Sequence, residues 1–164
     1  MRCGRVVFIF SQVKLLPAIT LLAILVSLTS CGSHKVPVAQ LSQSEQSLLR
    51  AVNRYRVSLG KAELKPFVDL TDFAREDAGR RVTSGGAFID HRQRTGYESM
   101  LTLEGKATAG PDFGNRLMAI WQKNPIQRRW LEGNHSGIGV GTATGAAGIQ
   151  TGVLLLAGFA GEGI

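Results

Sequence analysis

The segment Gly137-Ile138-Gly139-Val140-Gly141 sets three glycines two residues apart, with β-branched residues between them. Side chains alternate across a strand, so all three glycines fall on one face and leave it bare. A bare strand face lets a neighbouring backbone approach, and a helix packed directly against it is the expected partner. The segment superficially resembles a dinucleotide loop, but such a loop follows a strand and opens a helix, whereas this one precedes a turn. The small residues Thr144 to Gly148 separate it from a second β-compatible run, Ile149 to Ala157, and the two runs predict an antiparallel hairpin.

The sequence before the hairpin is helical in pattern. Ser42 and Glu45 have capping-box spacing, and Leu48, Leu49, Val52, Tyr55 and Leu59 fall on one helical face, with Gly60 as the stop. A second helix is expected with Asp69 or Thr71 as its cap, an apolar stripe of Leu70, Phe73, Ala74, Ala78 and Val82, and an end at Gly85-Gly86. Met100 to Leu103 reads as a short extended piece. Pro111-Asp112 opens a third helix with apolar Phe113, Leu117, Ile120 and Trp121, and Asn124-Pro125 closes it, because a residue preceding proline disfavours helical backbone. Helices first and a small-residue hairpin last predict one α+β domain in which helices cover a small antiparallel sheet. Leu48, Val52, Phe73, Trp121, Val140 and Leu154 are expected to share a single core.

The first thirty residues belong to another kind of segment. Arg2, Arg5 and Lys14 precede an uncharged run from Leu15 to Leu28, then small residues lead to Cys31, the order of a secretory signal. The run is short of the roughly 20 residues that cross a bilayer as a helix. Leu28-Thr29-Ser30-Cys31 resembles a lipobox, in which the Cys31 thiol accepts diacylglycerol before cleavage on its N-terminal side. Two acyl chains on one residue suffice for stable anchoring. Expected boundaries are a lipoprotein signal peptide over 1–30, a tether over 31–41 and a domain over 42–164. Gly32 and Ser33 follow the cysteine, with no Asp behind it, so the favoured address is the outer membrane, facing the periplasm.

Without residues 1–30 the chain loses three of its 19 lysines and arginines and none of its 12 acids, leaving a net charge of +4. That charge is dispersed along the sequence and does not predict a nucleic-acid partner. The pairs Arg80-Arg81 and Arg128-Arg129 read as solvated helix faces. With Cys3 in the leader and Cys31 acylated, disulfides are excluded from the domain.

Several of these residues also occur in one characteristic order. Asn53 and Arg56 before Leu59-Gly60 come first, then Leu70-Phe73-Ala74-Ala78, then His91 after an aromatic and a turn. Glu104, Trp121 before Asn124-Pro125, Arg128, and Gly137-Ile138-Gly139-Val140-Gly141 follow. This order resembles the CAP superfamily, also called SCP-like or pathogenesis-related-1-like, over nearly all of residues 42–159. The resemblance implies an α-β-α sandwich and a cleft in which two histidines and acidic residues hold a divalent cation such as zinc. It places His91 at the first histidine and Glu104 at the acid. Gln127 stands where the second histidine would be, so the expected cleft of His91, Glu104 and Gln127 is degenerate, with at most weak zinc binding through His91 and Glu104. Glu98 and His135 are the other candidates, His135 being read chiefly as a loop histidine.

No Gly-x-Ser-x-Gly or other nucleophile setting is present. The expectation is therefore a membrane-anchored, non-enzymatic binding module of the cell envelope, taking a lipid, peptide or glycan. A metal-dependent hydrolase and a purely structural envelope lipoprotein are the alternatives.

Overall fold

The computed structural model describes residues 37–87 and 89–158, so the expected leader, Cys31 and the start of the tether lie outside the described residues. In chain order the elements are α1 (Gln43–Ser58), α2 (Val68–Thr83), a 3-10 turn (His91–Arg94), β1 (Ser99–Thr108), α3 (Phe113–Lys123), α4 (Pro125–Glu132), β2 (Gly137–Thr144) and β3 (Ile149–Gly158). The three strands form one antiparallel sheet in the order β1-β3-β2. This is the expected α+β architecture of helices around a small antiparallel sheet.

Strand alternation divides the interior into two cores rather than the single expected one. On one face Leu48 and Val52 of α1, Phe113, Leu117 and Trp121 of α3, and Leu131 of α4 pack on Leu103, Val140 and Leu154. On the other face α2 packs its Leu70, Ala74 and Ala78 on Val153, Leu155 and Ala157, and Phe73 joins this second core. Leu48, Val52, Trp121, Val140 and Leu154 do share a core, whereas Phe73 lies across the sheet from them.

The bare face of β2 meets α2. A Cβ added at Gly139 would collide with the backbone of Leu70, one at Gly141 with that of Ala74, and one at Gly137 with the ring of Phe67. The glycines thus set the distance between helix and sheet. The segment ahead of α2 docks on the outer edge of β2, where Phe67 N–H donates to Ile138 O (3.0 Å) and Ile138 N–H to Lys65 O (3.1 Å). From Pro37 onward the expected tether is bonded to the domain, Ala39 N–H donating to Pro66 O (2.8 Å) and Val68 N–H to Pro37 O (3.1 Å).

Local signals held unevenly. The Ser42–Glu45 capping box is present in both directions. Helix α2 instead starts after Phe67, without a side-chain cap; Asp69 bonds the adjacent Leu70 N–H. Asn124-Pro125 ends α3 and also begins α4. Asn124 Oδ1 accepts from the N–H groups of Ile126 and Gln127, and Pro125 occupies the first turn, where its missing N–H costs nothing. Ile120, one of the apolar positions of α3, is 45% exposed.

Candidate functional site

The glycines place α2 over β2 and β3, and this determines which of its side chains look towards β1. Leu70, Ala74 and Ala78 form the stripe against the sheet. Phe73, Asp77 and Arg81, each three residues further on, form a second stripe rotated by about 60°. The glycine contact directs this second stripe to the side where β1 lacks a covering helix.

His91 is delivered to that stripe by a short turn. Asp90 caps the turn by accepting from Arg92 N–H (3.0 Å), and the Arg92 side chain and N–H hold the Asp90 carboxyl down at about 2. The His91 ring is fully buried and stacks on Phe73, with centroids 4.4 Å apart and planes 15° from parallel. The Arg94 guanidinium lies 4.7 Å from the Phe73 ring centroid. His91 Nε2 lies 3.2 Å from Asp77 Oδ2, and the other oxygen of this buried carboxylate is ion-paired with Arg80. His91 Nδ1 is buried and has no hydrogen-bond partner among the described residues.

Leu103 enters the opposite core, so Glu104 faces the α2 side. Its Oε2 pairs with Arg81 Nε at 3.0 Å. One turn of α2 thus holds two of the three residues expected in the cleft, Asp77 taking His91 and Arg81 taking Glu104. Beside them an open hollow of about 340 Å³ is lined by Ile89, Asp90, His91, Arg92, Met100 and Thr102. Its wall is mixed: a methionine and an isoleucine, a hydroxyl, and a rim ion pair between Arg92 and Asp90 at 2.6 Å. Such a wall suits a small amphipathic ligand held by apolar contact and a few polar groups.

The other candidate residues are held by different contacts. Gln127 lies in the first turn of α4, and no hydrogen bond links its side chain to His91 or Glu104 among the described residues. His135 Nε2 contacts Trp130 O at 2.6 Å, fastening the loop after α4. Glu98 is exposed, and its N–H donates to Gly158 O at 3.2 Å. Asn53 and Arg56 serve the scaffold. Asn53 bonds both backbone groups of Leu64, and the buried Arg56 guanidinium donates to Ala62 O, Leu131 O and Gly133 O.

Sequence reasoning missed Asp77, Arg80 and Arg81. The pair Arg80-Arg81 reads as a solvated face in the sequence, yet both arginines are half-buried and paired. The available signal was the spacing Phe73-Asp77-Arg81, which puts an aromatic, an acid and a base on one line beside the apolar stripe.

Fold and ordering of residues agree with one family, and the sequence profile of the cysteine-rich secretory protein family, CAP, matches residues 49–156. The chain belongs to the CAP family. An outer surface protein from Borrelia burgdorferi is similar in fold, with a TM-score of 0.60 over 74% of this chain and 96% of that chain at 14% identity. No curated protein matches the sequence.

The CAP resemblance implied a divalent cation, and the donors at this site do not fit one. A zinc site takes at least three protein ligands. Among the described residues no group of three or more His, Cys, Asp and Glu side chains converges. Glu104 is engaged by Arg81, and His91 directs Nε2 at Asp77.

Proposed function

We propose that this CAP domain is a binding module of the bacterial envelope, anchored through lipid on Cys31, which takes a small amphipathic ligand in the hollow beside β1. The observation carrying this reading is the commitment of His91 to Asp77 and of Glu104 to Arg81. Glu104 is tied up by Arg81, and His91 is held in the wall by Asp77 and Phe73 with its Nδ1 buried away from solvent. What remains open is a recess with apolar and hydrogen-bonding surface, a feature of recognition sites. The envelope address is supported by the signal-like leader, the lipobox-like Leu28-Thr29-Ser30-Cys31 and likeness to a bacterial outer surface protein.

The test is to isolate the protein from its envelope and identify co-purifying small molecules by mass spectrometry, alongside Thr102→Arg, which fills the hollow. A lipid, peptide or glycan fragment carried by the parent and lost in the variant is expected. An empty parent, or a variant that retains the molecule, contradicts the proposal. Fractionation tests the anchor independently: Cys31→Ser should leave the membrane fraction or remain unprocessed, and a variant still membrane-bound at the mature size excludes lipid on Cys31.

A further inference from the structure

Charge that is dispersed in the sequence is sorted by the fold. Helices α1, α3 and α4, which share one side of the sheet, carry seven lysines and arginines against two glutamates. Helix α2 carries three arginines against four acids. The pairing differs as sharply as the count. On the α2 side Arg75, Arg80, Arg81, Arg92 and Arg94 each have a carboxylate partner. On the opposite layer Arg128 pairs with Glu132 at 3.8 Å, but Arg50, Arg54, Lys123 and Arg129 are exposed and none of these four has a carboxylate partner among the described residues; Arg54 donates only to the neutral Asn115 of α3, at 3.1 Å.

Exposed apolar side chains stand among these cations. Ile120 is 45% exposed one turn before Lys123, and Ile126 is 61% exposed one turn before Arg129. A soluble polyanion would use the cations and leave the isoleucines idle. A bilayer surface uses both, with headgroup phosphates for the cations and the acyl boundary for the apolar side chains.

We infer that the α1-α3-α4 face lies on anionic phospholipid headgroups, so that the hollow beside α2, on the other side of the sheet, points away from the bilayer. This docking is independent of the acyl anchor and of any ligand in the hollow. Both cores are built from residues 48–157, so residues 34–164 contain the whole packed fold.

The test is co-sedimentation of residues 34–164, which carry no lipid, with vesicles of phosphatidylcholine alone and of phosphatidylcholine containing 30% phosphatidylglycerol (roughly a bacterial anionic content). Binding only to the anionic vesicles is expected, weakening as salt is raised. Lys123→Glu with Arg129→Glu should lower that binding about tenfold or more, since each cation contributes about 1 kcal/mol near such a surface. Ile126→Asp should weaken it too, while Arg94→Glu on the α2 side should leave it unchanged; near-UV circular dichroism verifies that every variant is folded. No binding to anionic vesicles, equal binding to both compositions, equal loss in Arg94→Glu, or capture by heparin beads without vesicle binding each overturns the proposal.

Discussion

The two faces of the sheet reach the same burial by opposite means. Towards α1 and α3 the space is filled by volume, with Trp121, Phe113, Leu117 and Leu48 fully buried against leucines of β1 and β3. Towards α2 the space is closed by removing volume, with glycines of β2 against helix backbone. A face packed by side chains tolerates adjustment, because rotamers can move; a face packed by backbone has a fixed spacing. The fixed face is the one that carries the candidate site. It directs Phe73, Asp77 and Arg81 to β1 with little freedom, and the large-residue face supplies the stability this rigidity draws on.

Breaking the filled face should have the largest effect. Trp121→Ala removes a fully buried ring and the indole N–H that donates to Glu104 O at 2.8 Å. A loss of about 3–5 kcal/mol in denaturant unfolding is expected; a loss below about 1 kcal/mol would place the ring at the surface.

The backbone-packed face is tested by a single methyl group. Gly139→Ala should cost about 2–3 kcal/mol, as its Cβ meets the backbone of Leu70, which cannot rotate away. Gly105→Ala, on β1, supplies the contrast. Its Cβ would come within 2.7 Å of Leu117 Cδ2, the end of a flexible side chain, and about 1 kcal/mol is expected. Equal losses from the two substitutions would erase the distinction between the faces.

The contrast also explains what was legible in the sequence. Period-2 glycines and the small-residue turn revealed the hairpin and the helix pressed on it. The capping box revealed the start of α1. Helix α4 was not legible, because Asn124-Pro125 is as good a start as a stop and only tertiary packing of Leu131 decides. The two cores were not separable either, since Leu48 of α1 and Phe73 of α2 both lie on apolar helical stripes, and no local pattern tells which face of the sheet each helix covers. For the site, the order of motifs singles out His91 and Glu104, but their partners are hidden in a segment that reads as solvated. Burial of Asp77 depends on contacts far apart in sequence, which no local pattern encodes.

A smaller effect links the two layers. Glu45 of α1 accepts from Arg75 of α2 through both carboxylate oxygens, each at 2.8 Å. Burial alone would raise its pKa, but the bonds from Arg75 and Ser42 hold it below the ordinary 4.5. The folded value is the lower one, so this pairing contributes stability above about pH 4.5, and the contribution is lost as pH falls through the folded value. Glu45→Gln should cost about 1 kcal/mol at pH 7 and flatten that part of the acid limb. An unchanged acid limb would show that the α1–α2 bridge carries no pH dependence.

The central claim, that the pairings to α2 leave too few donors for tight metal binding, is tested most directly by titrating metal-free residues 34–164 with zinc, alongside His91→Ala. Weak binding, with a dissociation constant above about 10 μM and unaffected by the substitution, is the result expected of a wall made from Asp77–His91 and Arg81–Glu104. A nanomolar constant lost in His91→Ala would contradict the account and restore the metal-dependent hydrolase.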